Sequence, residues 1–231
     1  MRLANSLLIL PFVLAVSQAK ALDGGSASTD VKGNPDQKCE LHVFPQDKFV
    51  VSGPPSTGVA GPLMESAVSG IFSVRHPELV EQFMKRNLNN EEQVRLIRAS
   101  LYSKIPAFKS FQIIREEPNA LPFKRIDDIK VYRKLSNSAS DCYAELMIMS
   151  IMYMRNTLSR KLYVYTLYRE FGSSPTAKVV VIKAPASAVD AFPPKNENQE
   201  EAARVDLRSA FTESLLKAFK GKESLIGTAS P

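Results

Sequence analysis

The chain has 231 residues, of which 44% are hydrophobic and 23% are charged, so it can form one domain with a substantial core. Its formal net charge is +6, and the basic residues are scattered among Asp and Glu along the chain. Nucleic-acid binding requires a clustered basic patch, so that class of function is not expected.

The first 21 residues have the pattern of a secretory signal peptide. Arg2 gives a positive start, and residues 7–16 form an apolar run that is shorter than the roughly 20 residues of a membrane span. Cleavage after either Ala19 or Ala21 fits the small residues found there. We predict that residues 1–21 are removed and that the mature protein is periplasmic or secreted, without a stable membrane span.

A flexible leader and a first strand are predicted next. Residues 22–38 are polar and contain Gly, Ser, Asp and Pro throughout, which is typical of an unstructured segment. Residues 39–44 alternate between two faces, and Pro45 ends this strand. We expect His42 to be a half-exposed strand residue and not a catalytic one.

Three amphipathic helices should follow. The first covers residues 63–74, the second has Pro77 in its first turn, and the third is capped by Asn89 or Asn90 and stopped by Pro106. Each helix carries one apolar stripe, so each is expected to lie on a sheet.

The next stretch contains one predicted strand and one ambiguous segment. Residues 108–115 read as a strand, whereas residues 126–135 fit neither a strand nor a helix clearly. Asp127 and Asp128 are adjacent and therefore point to different sides, so we do not expect them to form an acid–base pair.

Residues 142–171 carry the strongest signal, a long β-hairpin. Two apolar runs rich in aromatic and β-branched residues are separated by a polar turn. A register that pairs Glu145 with Arg169 matches the two charges in the middle of one face, and it also pairs Met152 with Leu162.

The two faces of this hairpin differ. One face is small or apolar and should be core. The other face carries seven apolar residues around the Glu145–Arg169 pair: Tyr143, Met147, Met149, Ile151, Tyr163, Tyr165 and Phe171. Met and aromatic residues favour protein-binding surfaces. The face is therefore a candidate partner surface, or else a second core layer that residues 49–62 or 107–134 cover.

The C-terminal part adds a strand and a helix. Residues 177–183 read as a third antiparallel strand, and Asn198 with Glu201 resembles a capping box for a helix that Gly221 can end. Residues 221–231 should be a disordered tail. We predict a single α+β domain at residues 39–220, with a mixed sheet of about five strands, an antiparallel meander in its C-terminal half, and helices mainly on one face.

Two cysteines, Cys39 and Cys142, remain after cleavage. In an oxidising compartment this even count predicts one disulfide, the alternative being two buried free thiols. The two cysteines and the two histidines show no metal-ligand spacing, and no motif for nucleophilic catalysis or phosphate binding is present. No catalytic, cofactor or metal site is therefore predicted.

The order of elements resembles one known domain. The resemblance rests on a strand ending in Val43-Phe44-Pro45, following helices, a strand at residues 111–114, a hairpin opened by Ala144-Glu145-Leu146, and a terminal helix. This order is similar to the small α/β domain at the N-terminus of the periplasmic translocation protein TolB and in curli-secretion lipoproteins. The opening at residues 39–45 also looks like a group of exported bacterial proteins of unknown function, which implies export.

Three classes of function stay open at this point. The first is a non-catalytic envelope module that binds another protein, the second is a carrier of a small apolar or lipidic ligand, and the third is an enzyme whose site the sequence does not reveal.

Overall fold

The structure of the protein is a computed structural model that describes residues 39–53, 77–118, 133–138, 140–156 and 158–228. The predicted signal peptide and leader, the predicted helix at residues 63–74, and most of the ambiguous segment at residues 126–135 lie outside these ranges. No helix within these ranges is both long and apolar enough to cross a membrane.

Seven strands form one mixed sheet: β1 (Cys39–Phe44), β2 (Phe49–Ser52), β3 (Phe111–Arg115), β4 (Tyr143–Arg155), β5 (Arg160–Glu170), β6 (Val179–Lys183) and β7 (Ala186–Ala188). The order across the sheet is β3, β1, β4, β5, β6. Strand β2 continues the position of β1 along β4, and β7 continues that of β6 along β5. The sheet therefore has seven strands at five positions, whereas about five strands were predicted, and β2 and β7 were not expected as strands.

Strand directions divide the sheet into two halves. Strands β1 and β2 run parallel to β4, and β1 also runs parallel to β3. Strands β4, β5 and β6 form the predicted antiparallel meander. The predicted mixed α+β sheet is therefore confirmed.

Three helices accompany the sheet: α1 (Pro77–Asn87), α2 (Asn90–Lys104) and α3 (Glu200–Phe219). Asn89 caps α2 as predicted, because its side chain accepts a hydrogen bond from the Glu92 backbone nitrogen at 2.9 Å. Gly221 has a φ of 72° just beyond α3, where glycine is favoured. The predicted capping box at Asn198 is wrong, because a 3₁₀ turn at Glu197–Gln199 precedes α3 and its N-terminus has no side-chain cap.

The helices pack on one face of the sheet, where they enclose the main hydrophobic core. Phe219 of α3 contributes one of its central rings, which meets Phe108 edge-on at 5.3 Å and Tyr168 edge-on at 5.6 Å between ring centres. Burying each such side chain stabilises the fold by about 1.5–3 kcal/mol. The opposite face of the sheet is called the outer face below.

A β-bulge interrupts the central hairpin. Glu145 lies opposite Arg169, as predicted, and this register holds as far as Ile148. It shifts by one residue between Ile148 and Ser150. An extra residue in one strand reverses the face to which every later residue of that strand points.

The bulge corrects two sequence-based expectations. Met152 pairs with Tyr163 and not with Leu162. Ile151 lies in the helix-side core together with Tyr153, so it does not belong to the predicted partner face. Both expectations assume that side chains alternate between the two faces without interruption along β4, and the bulge interrupts that alternation.

Gln46 joins the bulge to helix α2. Its side-chain nitrogen donates to the carbonyl oxygen of Met149, within the bulge, at 2.8 Å. Its backbone nitrogen donates to Gln93 Oε1 at 3.0 Å, and Gln93 Nε2 donates back to the Gln46 carbonyl at 2.7 Å. Since Gln93 is fully buried, these bonds fix the break between β1 and β2 beside the bulge.

The predicted disulfide joins Cys39 and Cys142, whose Cα atoms are 4.7 Å apart. Cys39 is the first residue of β1, and Cys142 immediately precedes β4. The bond therefore ties the parallel half of the sheet to the start of the hairpin.

Replacing both cysteines by serine should destabilise the protein by about 4–5 kcal/mol, because the bond constrains a long loop of the unfolded chain. The two cysteines are 103 residues apart in sequence. Urea unfolding of the double variant and of the oxidised parent measures the difference. A loss below about 1 kcal/mol would contradict the constraint proposed for this bond.

Candidate functional site

A fully buried ion pair lies on the outer face near the start of β4. Glu145 of β4 and Arg169 of β5 both have 0% side-chain exposure. Arg169 Nε donates to Glu145 Oε2 at 2.9 Å, and Arg169 Nη2 donates to the same oxygen. Such a pair is tolerated only when its remaining hydrogen-bonding groups are also satisfied.

The segment at residues 133–138 provides some of the hydrogen bonds that this ion pair requires. The Leu135 backbone nitrogen donates to the second carboxylate oxygen at 2.6 Å, and the Tyr143 hydroxyl donates to it at 2.7 Å. The carbonyl oxygen of Arg133 accepts a hydrogen bond from the buried guanidinium at 3.4 Å. These bonds hold the segment across the outer face and close the ion pair to solvent.

Two buried tyrosines have strongly perturbed hydroxyls. Burial raises the pKa of Tyr143 far above its ordinary value, and the neighbouring Glu145 raises it further. Burial likewise raises the pKa of Tyr168 on the helix side, where its hydroxyl donates a hydrogen bond to Glu170 at 2.7 Å. Both hydroxyls therefore stay protonated near neutral pH and act as hydrogen-bond donors.

A second polar cluster surrounds His42 of β1. Its Nδ1 atom lies 2.5 Å from Glu116 Oε1, and its Nε2 atom lies 3.0 Å from Glu40 Oε2. Each carboxylate also accepts a serine hydroxyl, because Ser136 donates to Glu116 at 2.6 Å and Ser138 donates to Glu40. His42 is only 5% exposed, so the expectation of a half-exposed residue is wrong: the residues that hold this cluster also cover it.

The geometry of this cluster differs from that of a catalytic triad. In a triad the serine bonds to the imidazole, which a carboxylate orients from the other side. Here both imidazole nitrogens face carboxylates, and both serine hydroxyls donate hydrogen bonds to those same carboxylates. Across the described ranges, no serine hydroxyl bonds to His42, and no group of three His, Cys, Asp or Glu residues could hold a metal ion. The cluster is built to hold residues 133–138 against β1.

The seven residues predicted as a partner surface do not share one environment. Tyr143, Met147 and Phe171 are fully buried under the covered end of the outer face. Tyr165 is 38% exposed. Met149 and Tyr163 are half-buried, and Ile151 points to the helices as described above. The seven residues therefore do not form one continuous surface, and any exposed apolar surface on this face has to be defined with the bulge taken into account.

From the bulge onward, the outer face presents a different set of apolar side chains, which we call the open half: Val50, Met149, Met152, Met154, Tyr163 and Tyr165. Val50 is 46% exposed and Tyr165 is 38% exposed, and the methionines are half-buried. Lys48 and Lys161 are exposed at its margin. Three members, Val50, Met152 and Met154, were missed in the sequence, because β2 is short and the bulge reversed the alternation in β4.

Changing Glu145 to Gln should cost about 3–5 kcal/mol of unfolding free energy, because it leaves the Arg169 charge buried without its counterion. The exposed pair between Arg86 and Glu200 provides the control, since Arg86→Gln should cost no more than about 1 kcal/mol. Urea unfolding measures both. Equal losses in the two variants would show that the buried pair has no special role.

The stability contributed by Glu40 should depend on pH. The hydrogen bond from Ser138 lowers the pKa of Glu40 below its usual 4.5, with a smaller contribution in the same direction from His42. A carboxylate with a lowered folded pKa stabilises the fold above its unfolded pKa, and the contribution is lost as pH falls through the folded pKa.

Ser138→Ala should therefore cost stability at about pH 6 and progressively less on acidification to about pH 3. The measurement is the difference in unfolding free energy between parent and variant across this range. A difference that stays constant with pH would contradict the role assigned to the Glu40 carboxylate.

Comparisons with known proteins add only distant structural similarity. The chain matches no protein-family model, and a search of curated proteins finds no significant match. A solved structure of the hypothetical protein CT253 from Chlamydia trachomatis aligns over 83% of this chain and 99% of its own, with 7% identity and a TM-score of 0.30. The resemblance to the TolB N-terminal domain and the curli-secretion lipoproteins stays a prediction, since no family match supports it.

Proposed function

We propose that this protein is exported and acts as a non-catalytic module that binds another protein of the cell envelope through the open half. The observation that carries the proposal is the cluster of methionine, tyrosine and aliphatic side chains left partly exposed beyond the bulge. Contiguous apolar surface of this kind is uncommon on a monomer and is typical of interaction sites.

The composition of the open half fits a protein partner. Methionine side chains are flexible and polarisable, so Met152 and Met154 can adapt to an irregular partner surface. Tyrosine combines a large apolar ring with a polar tip, and Tyr165, which is 38% exposed, offers both. Lys48 and Lys161 at the margin favour a partner whose rim is acidic.

Two features support export. The first 21 residues have the signal-peptide pattern, and the Cys39–Cys142 disulfide is of a kind that persists in oxidising compartments. The clusters around Glu145 and His42 support a non-catalytic role, because their groups are engaged with one another in holding residues 133–138.

Site-specific photo-crosslinking in intact source cells tests the proposal. A crosslinker at position 165 of the full chain should give a protein adduct of discrete mass. The same crosslinker at position 205 is the control, because Val205 is an exposed apolar residue of α3 on the helix side, 57% exposed. Adducts at both positions, or at neither, would contradict the assigned surface, and a co-purified lipid in native mass spectrometry would favour the carrier function.

Serine substitutions separate binding from folding. Tyr165→Ser should leave the melting temperature nearly unchanged and abolish the adduct formed by a crosslinker placed at position 152. Met147→Ser is the matched core variant, and because Met147 is fully buried its melting temperature should fall by several degrees, about 2–4 °C for each kcal/mol lost. A comparable fall for Tyr165→Ser would show that this face is core and overturn the proposal.

A further inference from the structure

A polar groove lies beside the covered end of the outer face, distinct from the open half. It has a volume of about 370 Å³, which is within the usual range for small-ligand sites. One wall is the segment at residues 133–138, and the other is the turn that follows β5. The lining residues that matter here are Arg133, Lys134, Ser136, Ser138, Ser173 and Ser174.

Arg133 is the cation that remains available in the groove. Its side chain is exposed, and within the described residues its guanidinium forms no hydrogen bond or ion pair. Lys134 is held in place, because its ammonium group lies 4.8 Å from the centre of the Tyr143 ring and donates to the Ser140 carbonyl at 3.3 Å. A guanidinium binds carboxylate or phosphate oxygens through paired hydrogen bonds, so the groove favours one anionic group.

The buried carboxylates fix what the serines present to the groove. The Ser136 hydroxyl donates its hydrogen bond to Glu116, and the Ser138 hydroxyl donates its hydrogen bond to Glu40. The Ser136 hydroxyl oxygen therefore offers two lone pairs, and the Ser138 oxygen, which already accepts from the Ser140 backbone nitrogen, offers one; neither offers a proton to a ligand in the groove. A bare oxyanion cannot use such acceptors, whereas a ligand with hydroxyl groups can donate to them.

The same contacts make this wall rigid before any ligand arrives. The backbone nitrogens of Leu135 and Ser136 are bonded to Glu145 and to the Tyr143 hydroxyl, and Ser138 Oγ accepts from the Ser140 backbone nitrogen at 3.0 Å. A site whose polar groups are held in advance loses less conformational entropy on binding.

From these observations we infer that the groove binds a hydroxylated compound carrying one anionic group, the class of sugar phosphates and sugar acids. The anionic group pairs with Arg133, and the ligand hydroxyls donate to Ser136 and Ser138. Asn137 and Ser173, exposed at the mouth of the groove, supply further donors and acceptors. This inference is independent of the protein-binding role of the open half.

Titrations followed by backbone amide NMR test the inference. Glucose 6-phosphate and glucuronate should shift the amides of residues 133–138 and 173–174 saturably, with millimolar or tighter affinity. Glucose, which lacks the anion, and inorganic phosphate, which lacks the hydroxyl donors, should each bind at least about tenfold more weakly. Arg133→Gln should weaken binding of both anionic sugars by about tenfold or more.

The matched control is Arg155→Gln, which removes an exposed arginine at the far end of β4 and should leave the affinities unchanged. Equal binding by the two variants would overturn the inference, as would the absence of saturable shifts in the groove at about 50 mM of either anionic sugar. Phosphate binding as tight as glucose 6-phosphate would overturn the role of the serines and leave a simple anion site.

Discussion

The buried Glu145–Arg169 pair is the constraint on which the outer face of this protein depends. Two full charges can be buried on a sheet face only if their hydrogen-bonding groups are all satisfied, because desolvation costs several kcal/mol for each ion. The Glu145 carboxylate accepts a hydrogen bond from the backbone nitrogen of Leu135, and the Arg169 guanidinium donates one to the carbonyl of Arg133. The pair therefore determines where residues 133–138 lie, and that segment in turn encloses His42 and forms one wall of the polar groove.

The β-bulge sets the limit of this covered region. Up to Ile148, the outward side chains of β4 lie beneath packed residues, and Met147 joins Phe44 and Leu167 in a small second core. Past the bulge the strand presents Met152 and Met154 outward. One face of one sheet thus carries a closed polar and apolar layer at one end and a partly exposed apolar surface at the other, and the proposed functions follow this division.

Much of the fold could be predicted from local patterns. Alternation identified β1 and the hairpin, helix caps and prolines identified α1 and α2, and charge matching found the pairing of Glu145 with Arg169. The even count of cysteines in a chain predicted to be exported indicated the disulfide. Apart from the disulfide, which follows from the cysteine count alone, these features depend on side chains close in sequence or on a single face of a strand.

The features that were missed depend on contacts between distant parts of the chain. The bulge is held by Gln46, 103 residues before Met149, and nothing in β4 itself marks the extra residue. The bond between His42 and Glu116 spans 74 residues and exists because β1 and β3 are parallel neighbours. The alternation of β1 did place Glu40 and His42 on one face, which was the signal for a polar cluster.

Oxidation of the methionines by dilute hydrogen peroxide, followed by peptide mass spectrometry, tests the division of the outer face most directly. The folded protein should oxidise at Met152 and Met154, which are half-buried, while Met147 and Met84, which are fully buried, stay protected until the protein unfolds. Oxidation of Met147 as fast as Met152, or equal protection of all four, would contradict an outer face that is closed before the bulge and open beyond it.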